Sequence, residues 1–265
     1  MRQPLLRRGR TLTSAMTGRQ YRVGALLGRG GFGETSIARV VRPQRPRREV
    51  ALKATLDQAA WLREAYFAEL LSGQPRVIEI EDVFSVRVRR DGRERPVFCL
   101  CAELAEHGDL ASYLRARGRG YTPRRAVQEI RAVLKVLDLL HGSSARHGDV
   151  SPANVLVTSG GRLKLADFGV AGHWLSARKP PLTGWNSWFA PWGYRGRAVD
   201  DVYFVGQILA MMLAGDASHP LDARAVNRLP VDEGLRRVIR EAIGPATRRY
   251  EDAATMLAAL ARLRY

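Results

Sequence analysis

Residues 147–169 read HGDVSPANVLVTSGGRLKLADFG, and the rest of the chain is best read outward from them. A polar loop holds His147, Asp149 and Asn154; two short apolar runs come next, residues 155–158 and 163–166, and then Asp167. Ser159, Gly160 and Gly161 between the runs are turn residues, so the runs pair as a hairpin with both polar ends on one side. Two carboxylates and an amide therefore converge. A carboxylate and an amide oxygen can ligate a hard cation, while a second carboxylate beside a hydroxyl can accept its proton or hold it in line. That is the equipment for phosphoryl transfer.

Working back towards the start, residues 21–27 alternate as a strand and lead into Gly28-Arg29-Gly30-Gly31-Phe32-Gly33, after which residues 35–41 form a second strand. Glycines let backbone amides approach a polyphosphate where a Cβ would intrude. By itself the run is equally an ordinary Gly-rich hairpin; it is not the dinucleotide fingerprint, which continues into a helix. Residues 42–48 are a loop rich in Pro and Arg. Val50-Ala51-Leu52-Lys53 is an apolar strand ending on one of only four lysines, whose ammonium is either a solvated strand end or a phosphate-neutralising group. Residues 58–71 have helical apolar spacing and carry two acids, Glu64 and Glu69.

Residues 84–88 and 97–102 read as paired strands around a charged turn, and Gly108-Asp109-Leu110 opens a short helix. Thr122-Pro123 is a good N-cap and first-turn pair for a core helix bearing Val127, Ile130, Leu134 and Leu137. Asp201 heads a nearly continuous apolar helix stopped by Gly215, and residues 235–243 and 253–263 are amphipathic. Residues 170–191, rich in Gly, Pro and Trp, are irregular.

In this order the pieces resemble the protein kinase family, of the serine/threonine, bacterial type. Asp149 matches the catalytic Asp, Asn154 the metal-binding Asn five residues on, and Asp167-Phe168-Gly169 the second metal motif. The resemblance implies an α+β, bilobal fold over residues 21–265: a small lobe, 21–103, with an antiparallel sheet and one helix, then a mainly helical lobe, 104–265. It implies ATP beneath the glycine loop, with Gly28, Gly30, Gly31 and Gly33 over the phosphates and Ala51 among the residues that bind the nucleotide. The hinge Glu103-Leu104-Ala105 would hold the base through its backbone, behind a small gatekeeper, Ala102. Lys53, paired with Glu64 rather than Glu69, would bind the α and β phosphates; Asp167 and Asn154 would hold Mg2+; Asp149 would orient the attacking hydroxyl. Asp201 would bond the catalytic-loop backbone, although a plain N-cap role is the alternative.

Several positions depart from the pattern. Gly148 replaces the arginine that binds a phosphorylated activation segment, so activity is expected not to require that phosphorylation. Ser176, Thr183 and Ser187 are the hydroxyls of that segment. Ser151 and Ala153 stand where a lysine or an arginine usually supports the transferring group, and Trp185 where a threonine contacts that lysine. Trp192 replaces a glutamate, which leaves Arg249 without its usual partner. The His-Gly-Asp sequence also resembles aminoglycoside and choline phosphotransferases, so a small-molecule kinase and a nucleotide-binding pseudokinase scaffold are the rival readings.

The chain of 265 residues is long enough for one large catalytic unit. Its net charge is +17, and all but four of its 43 basic residues are arginine, an Arg bias of the kind genomic base composition produces. Nucleic-acid binding is therefore not the expected function, and the partner expected is a protein substrate, acidic or a second copy of the chain. Cys99 and Cys101, two apart on a strand, share a face and read as buried free thiols, consistent with a reducing, cytoplasmic setting. No apolar run approaches the ~20 residues of a membrane span. No acid precedes Glu34, and residues 1–20 read as a basic, flexible extension.

Overall fold

The computed structural model describes residues 3–31, 33–42, 48–90, 92–174 and 194–265. Its contacts divide the chain into two compact units, one made of Met1–Gly73 and Ile78–Ala105, the other of Gln74–Val77 and Glu106–Tyr265. No helix of the described residues is long and apolar enough to cross a membrane.

The first unit is a six-stranded antiparallel sheet, β1 (Thr11–Thr13), β2 (Gln20–Gly30), β3 (Gly33–Arg42), β4 (Glu49–Thr55), β5 (Ile80–Arg90) and β6 (Arg93–Ala102), in the order β1-β2-β3-β4-β6-β5. One helix, α1 (Gln58–Leu70), starts at Asp57, whose side chain accepts from the Ala60 N–H. Period-two alternation on β4 sends Leu52 and Ala54 into the core and leaves Ala51 and Lys53 on the opposite face. Gly33 is required where β3 begins: its φ is +143°, and a Cβ would stand 2.2 Å from the Ala54 carbonyl oxygen. Cys99 and Cys101 are buried in the same core as free thiols; burial pushes Cys99 up to about 12 and Cys101 higher still.

The basic start of the chain is not a loose extension. β1 pairs with β2, Leu6 and Leu12 lie in the sheet's core, and the Leu5 N–H donates to Glu34 at 2.7 Å. A buried carboxylate, Asp82, fastens the turn between β1 and β2. It accepts from Ser14 Oγ at 3.0 Å, Thr17 Oγ1 at 2.6 Å and Tyr21 Oη at 2.7 Å. The reason is local: a charge taken out of water is tolerable only when its lone pairs are filled, and the three hydroxyls fill them.

The second unit is mainly helical: α2 (Leu110–Arg117), α3 (Pro123–Gly142), α4 (Ala198–Ala214), α5 (Ala223–Asn227), α6 (Glu233–Ala242) and α7 (Ala253–Ala261). The hairpin of β8 (Val155–Thr158) and β9 (Arg162–Leu165) and the short pair β7 (Ala145–Arg146) with β10 (Gly172–His173) complete it. Thr122 caps α3 as its sequence suggests, accepting from the Arg125 N–H. α4 is apolar almost all round and buried almost all round. At Gly206 it approaches α6 so closely that a Cβ would stand 2.6 Å from the Ala242 Cβ.

The boundary expected between residues 103 and 104 needs two corrections. The first unit runs to Ala105, and Gln74–Val77 belongs with the helices. That segment is bound there by the Leu165 N–H to the Arg76 carbonyl at 2.8 Å and by Arg76 to Glu129 at 2.5 Å. Replacing Asp82 by Ala would leave three hydroxyl donors unanswered. The expected loss is ~2–4 kcal/mol in urea unfolding, and an unchanged midpoint would show that the first segment adds nothing to the sheet.

Candidate active site

Within the first unit, Lys53 Nζ lies 2.7 Å from Glu64 Oε2, and both side chains are largely shielded. Strand alternation aims the lysine and the first turns of α1 bring the acid to it. Glu64, not Glu69, is therefore the partner. Gly28 and Gly30 lie in the β2–β3 hairpin, opposite Thr35 and Gly33, so the glycine run is a hairpin turn with open space around Gly28, Gly30 and Gly31. At the end of β6 the Glu103 N–H donates to the Glu79 carbonyl at 2.9 Å, which turns the Glu103 peptide so that its amide is engaged inward. Ala102 and Ala105 are both buried.

In the second unit the loop of residues 147–154 is positioned by Asp201, near the start of α4. Its Oδ2 accepts from the His147 N–H at 2.8 Å, its Oδ1 from the Gly148 N–H at 2.9 Å, and His141 Nε2 lies 3.1 Å from Oδ2. His141 Nδ1 accepts from the Ala253 N–H at 3.0 Å, so Nε2 carries the proton and donates. Burial opposes the Asp201 charge, but the hydrogen bonds from His141 and from the Gly148 N–H hold the carboxyl below the usual carboxylate range. Asp200, one residue earlier, is the capping acid, accepting from the Arg195 and Arg197 N–H groups at 2.9 and 3.1 Å.

His147 is fully buried. Its Nε2 faces the Ala166 carbonyl at 3.2 Å and its Nδ1 accepts from the Asp149 N–H at 3.3 Å, which defines a neutral ring protonated at Nε2. Burial also lowers its pKa. The ring packs 4.7 Å from that of Phe168, tying the loop to the Asp-Phe-Gly turn. Asn154 Nδ2 donates to the Asp149 carbonyl at 2.9 Å and to Asp149 Oδ2 at 2.8 Å. With the amide nitrogen turned to Asp149, Asn154 presents its oxygen as the other face of the group. The Ala166 N–H donates to the Asn154 carbonyl at 2.9 Å, which sets the next residue, Asp167, beside this loop. Asp167 has a left-handed φ of +62°, a conformation that few residues other than glycine adopt without cost.

Two buried arginines find partners that the sequence does not announce. Arg249 does not lack partners: it donates to the Gly244 carbonyl at 2.7 and 3.2 Å and to the Val199 carbonyl at 3.1 Å. Its guanidinium also lies 3.6 Å from Asp200 Oδ1 and 4.9 Å from the centre of the Tyr203 ring. Arg146 was missed altogether. It is 5% exposed, donates to the Gly172 carbonyl, and brings its Nε within 3.6 Å of where a Gly148 Cβ would stand. A guanidinium thus lies beside position 148 although that residue carries none; an arginine immediately before His-Gly-Asp was the available signal. Trp185, Trp192, Ser176, Thr183 and Ser187 lie outside the described residues.

A glycine hairpin over an antiparallel sheet, a strand lysine paired with a helix acid, and an Asp–Asn loop anchored from a buried helix together define a kinase-type phosphotransferase fold. The chain belongs to the protein kinase family: the protein kinase domain matches residues 21–257. It is 30% identical over 209 residues to the putative CBL-interacting protein kinase 27 of Oryza sativa subsp. japonica, covering 74% of this chain and 49% of that protein. It is 27% identical over 243 residues to the serine/threonine-protein kinase PknB of Mycobacterium tuberculosis, covering 86% of this chain and 37% of that protein. To PknD of the same organism it is 33% identical over 233 residues, 79% of this chain and 31% of that one. The chain thus spans less than half the length of these relatives.

The anchoring carboxylate sets a pH dependence. Between the lowered folded value of His147 and its unfolded value of ~6.5, only the unfolded chain binds the proton, so stability falls as pH drops below ~6.5. Asp201 contributes stability above its unfolded value of ~3.9, lost as pH falls through its lower folded value. Urea unfolding at pH 7.5 and 5.5 should show the first loss in the wild type and not in His147→Asn. Asp201→Ala, which strands three donors, should cost about 3–5 kcal/mol at neutral pH, read by the same method.

Proposed function

We propose that the chain is an ATP-dependent protein kinase that transfers the γ-phosphoryl group of ATP to a serine or threonine hydroxyl of a protein. The observation that carries this is the Lys53–Glu64 pair at 2.7 Å, which fixes an ammonium on a strand face beside the glycine hairpin. An ammonium so held is suited to the α and β phosphates. The serine/threonine assignment draws on the names of PknB and PknD.

Asp167 and Asn154 fit a magnesium ion delivered with a polyphosphate, because they offer hard oxygen donors and Asn154 keeps its nitrogen on Asp149. When bound, Mg2+ would neutralise charge on the phosphates. Asp149 would accept the hydroxyl's hydrogen bond and hold the oxygen in line, while the neutral His147 and Asp201 keep its backbone in place. The amides of Gly28, Gly30, Gly31 and Gly33 would meet the phosphates, and Ala51 with the backbone of Glu103 and Ala105 the base. Ser151 supplies no cation, so the phosphoryl group in flight would be stabilised mainly by Lys53 and the metal.

On this reading residues 21–265 form one kinase domain, and the substrate is a protein. The buried reduced thiols favour a cytoplasmic setting.

Asp149→Asn should lower transfer from γ-labelled ATP to a basic protein by ~10²–10⁴-fold while nucleotide affinity, by calorimetry, stays within about threefold. Equal turnover in wild type and variant would sink the assignment, and label appearing only on an aminoglycoside would move it to small-molecule kinases. Since Gly148 offers no cation to an activation-segment phosphate and the Arg146 guanidinium beside it is buried and donates to the Gly172 carbonyl, phosphatase-treated enzyme should keep most of its activity; loss of most of it would refute that point.

A further inference from the structure

Helix α3 has a basic face. Arg124, Arg131 and Lys135 stand at i, i+7 and i+11, which at 100° per residue puts them within about 40° of one another on the helix. With Arg76, Gln128 and Tyr265 they line a cavity of about 390 Å³ within the second unit. The two carboxylates on the helix do not neutralise them: Asp138, three residues beyond Lys135 on the same face, makes no ion pair with any of the three. Glu129 is fully buried and already divided between Arg76 at 2.5 Å and Arg125 at 2.8 Å, with the Leu163 N–H on it as well. Among the described residues no carboxylate pairs with Arg124, Arg131 or Lys135.

The lining also limits the occupant. Pockets for neutral small molecules are mostly apolar with a few polar groups, whereas this one carries Arg124, Arg131 and Lys135 besides Arg76, which Glu129 already holds. A bilayer is flat and a nucleic-acid duplex convex, so neither enters a recess of this size, and a single aromatic provides little for stacked bases. The cations run about 16 Å along the helix, the length of an extended peptide of about five residues.

We propose that this cavity is a docking groove for an acidic, Asp/Glu-rich segment of the protein substrate, held on α3 apart from the residues that carry the chemistry. The substrate assignment rests on the kinase reading; the groove itself does not. Arginine forks and a lysine are the usual means of holding carboxylates presented along a strand.

The test is fluorescence anisotropy with a labelled oligo-glutamate peptide and no nucleotide present. Arg131→Glu/Lys135→Glu should weaken binding on the order of tenfold, since it replaces attraction by repulsion at two points. Arg93→Glu/Arg95→Glu, which changes net charge equally on the first unit, should alter it less than about twofold. If thermal unfolding shows that the first variant is destabilised, Arg131→Gln/Lys135→Gln takes its place, with a smaller loss in the same direction. Equal weakening by both reversals would reduce the effect to net charge and overturn the groove. So would saturable binding of single-stranded RNA or phosphatidylserine vesicles with none of the peptide. Peptide binding that survives in a chain without phosphotransfer would defeat the kinase reading alone; phosphotransfer without site-dependent binding would defeat this proposal alone.

Discussion

Asp201 has almost no water to solvate it, being 1% exposed, so its charge persists only while protein donors surround it. Those donors are the backbone amides of His147 and Gly148 and the His141 ring, which gathers the end of α3, the loop of residues 147–154 and the start of α7 around one carboxylate. Geometry at Asp149 and Asn154 is inherited from that knot. The loop needs no regular structure of its own because its peptide groups are spoken for.

Three further buried charged residues are also surrounded by partners, each of a different kind. Asp82 is met by three hydroxyls, Glu129 by two arginines and a backbone amide, and Arg249 by three carbonyl contacts, an acid and an aromatic face. Arg249 illustrates how tolerant such a scheme is. Its guanidinium stays buried because the carbonyls of Gly244 and Val199 and the Asp200 carboxylate surround it. What must be kept physically is the count of partners around a buried charge, rather than the identity of any one of them.

Elements with a strong local signature were legible before any coordinates. Thr122-Pro123 announced α3, the Ser-Gly-Gly turn announced the β8–β9 hairpin, and the spacing of Lys53, Glu64, Asp149, Asn154 and Asp167 matched a known sequential pattern. The misreadings share a cause: they concern contacts set by distant residues. Leu6 and Leu12 are isolated among arginines, and only pairing with β2 makes them core. Gln74–Val77 has no helical or strand pattern, and its allegiance is decided by Leu165 and Glu129, far along the chain. Five-residue α5 is too short to produce a period, and Arg146 looks like one more surface arginine until the fold closes over it.

The two thiols have a practical consequence. Cys99 and Cys101 are sealed inside the sheet with their sulfurs held in the unreactive protonated form, Cys99 with a pKa of about 12. Thiol-directed reagents therefore meet no accessible thiolate in the intact protein. Modification can proceed only from states in which β6 has come away from its neighbours. The speed of labelling then becomes a clock for the opening of that one strand, readable without introducing any foreign probe.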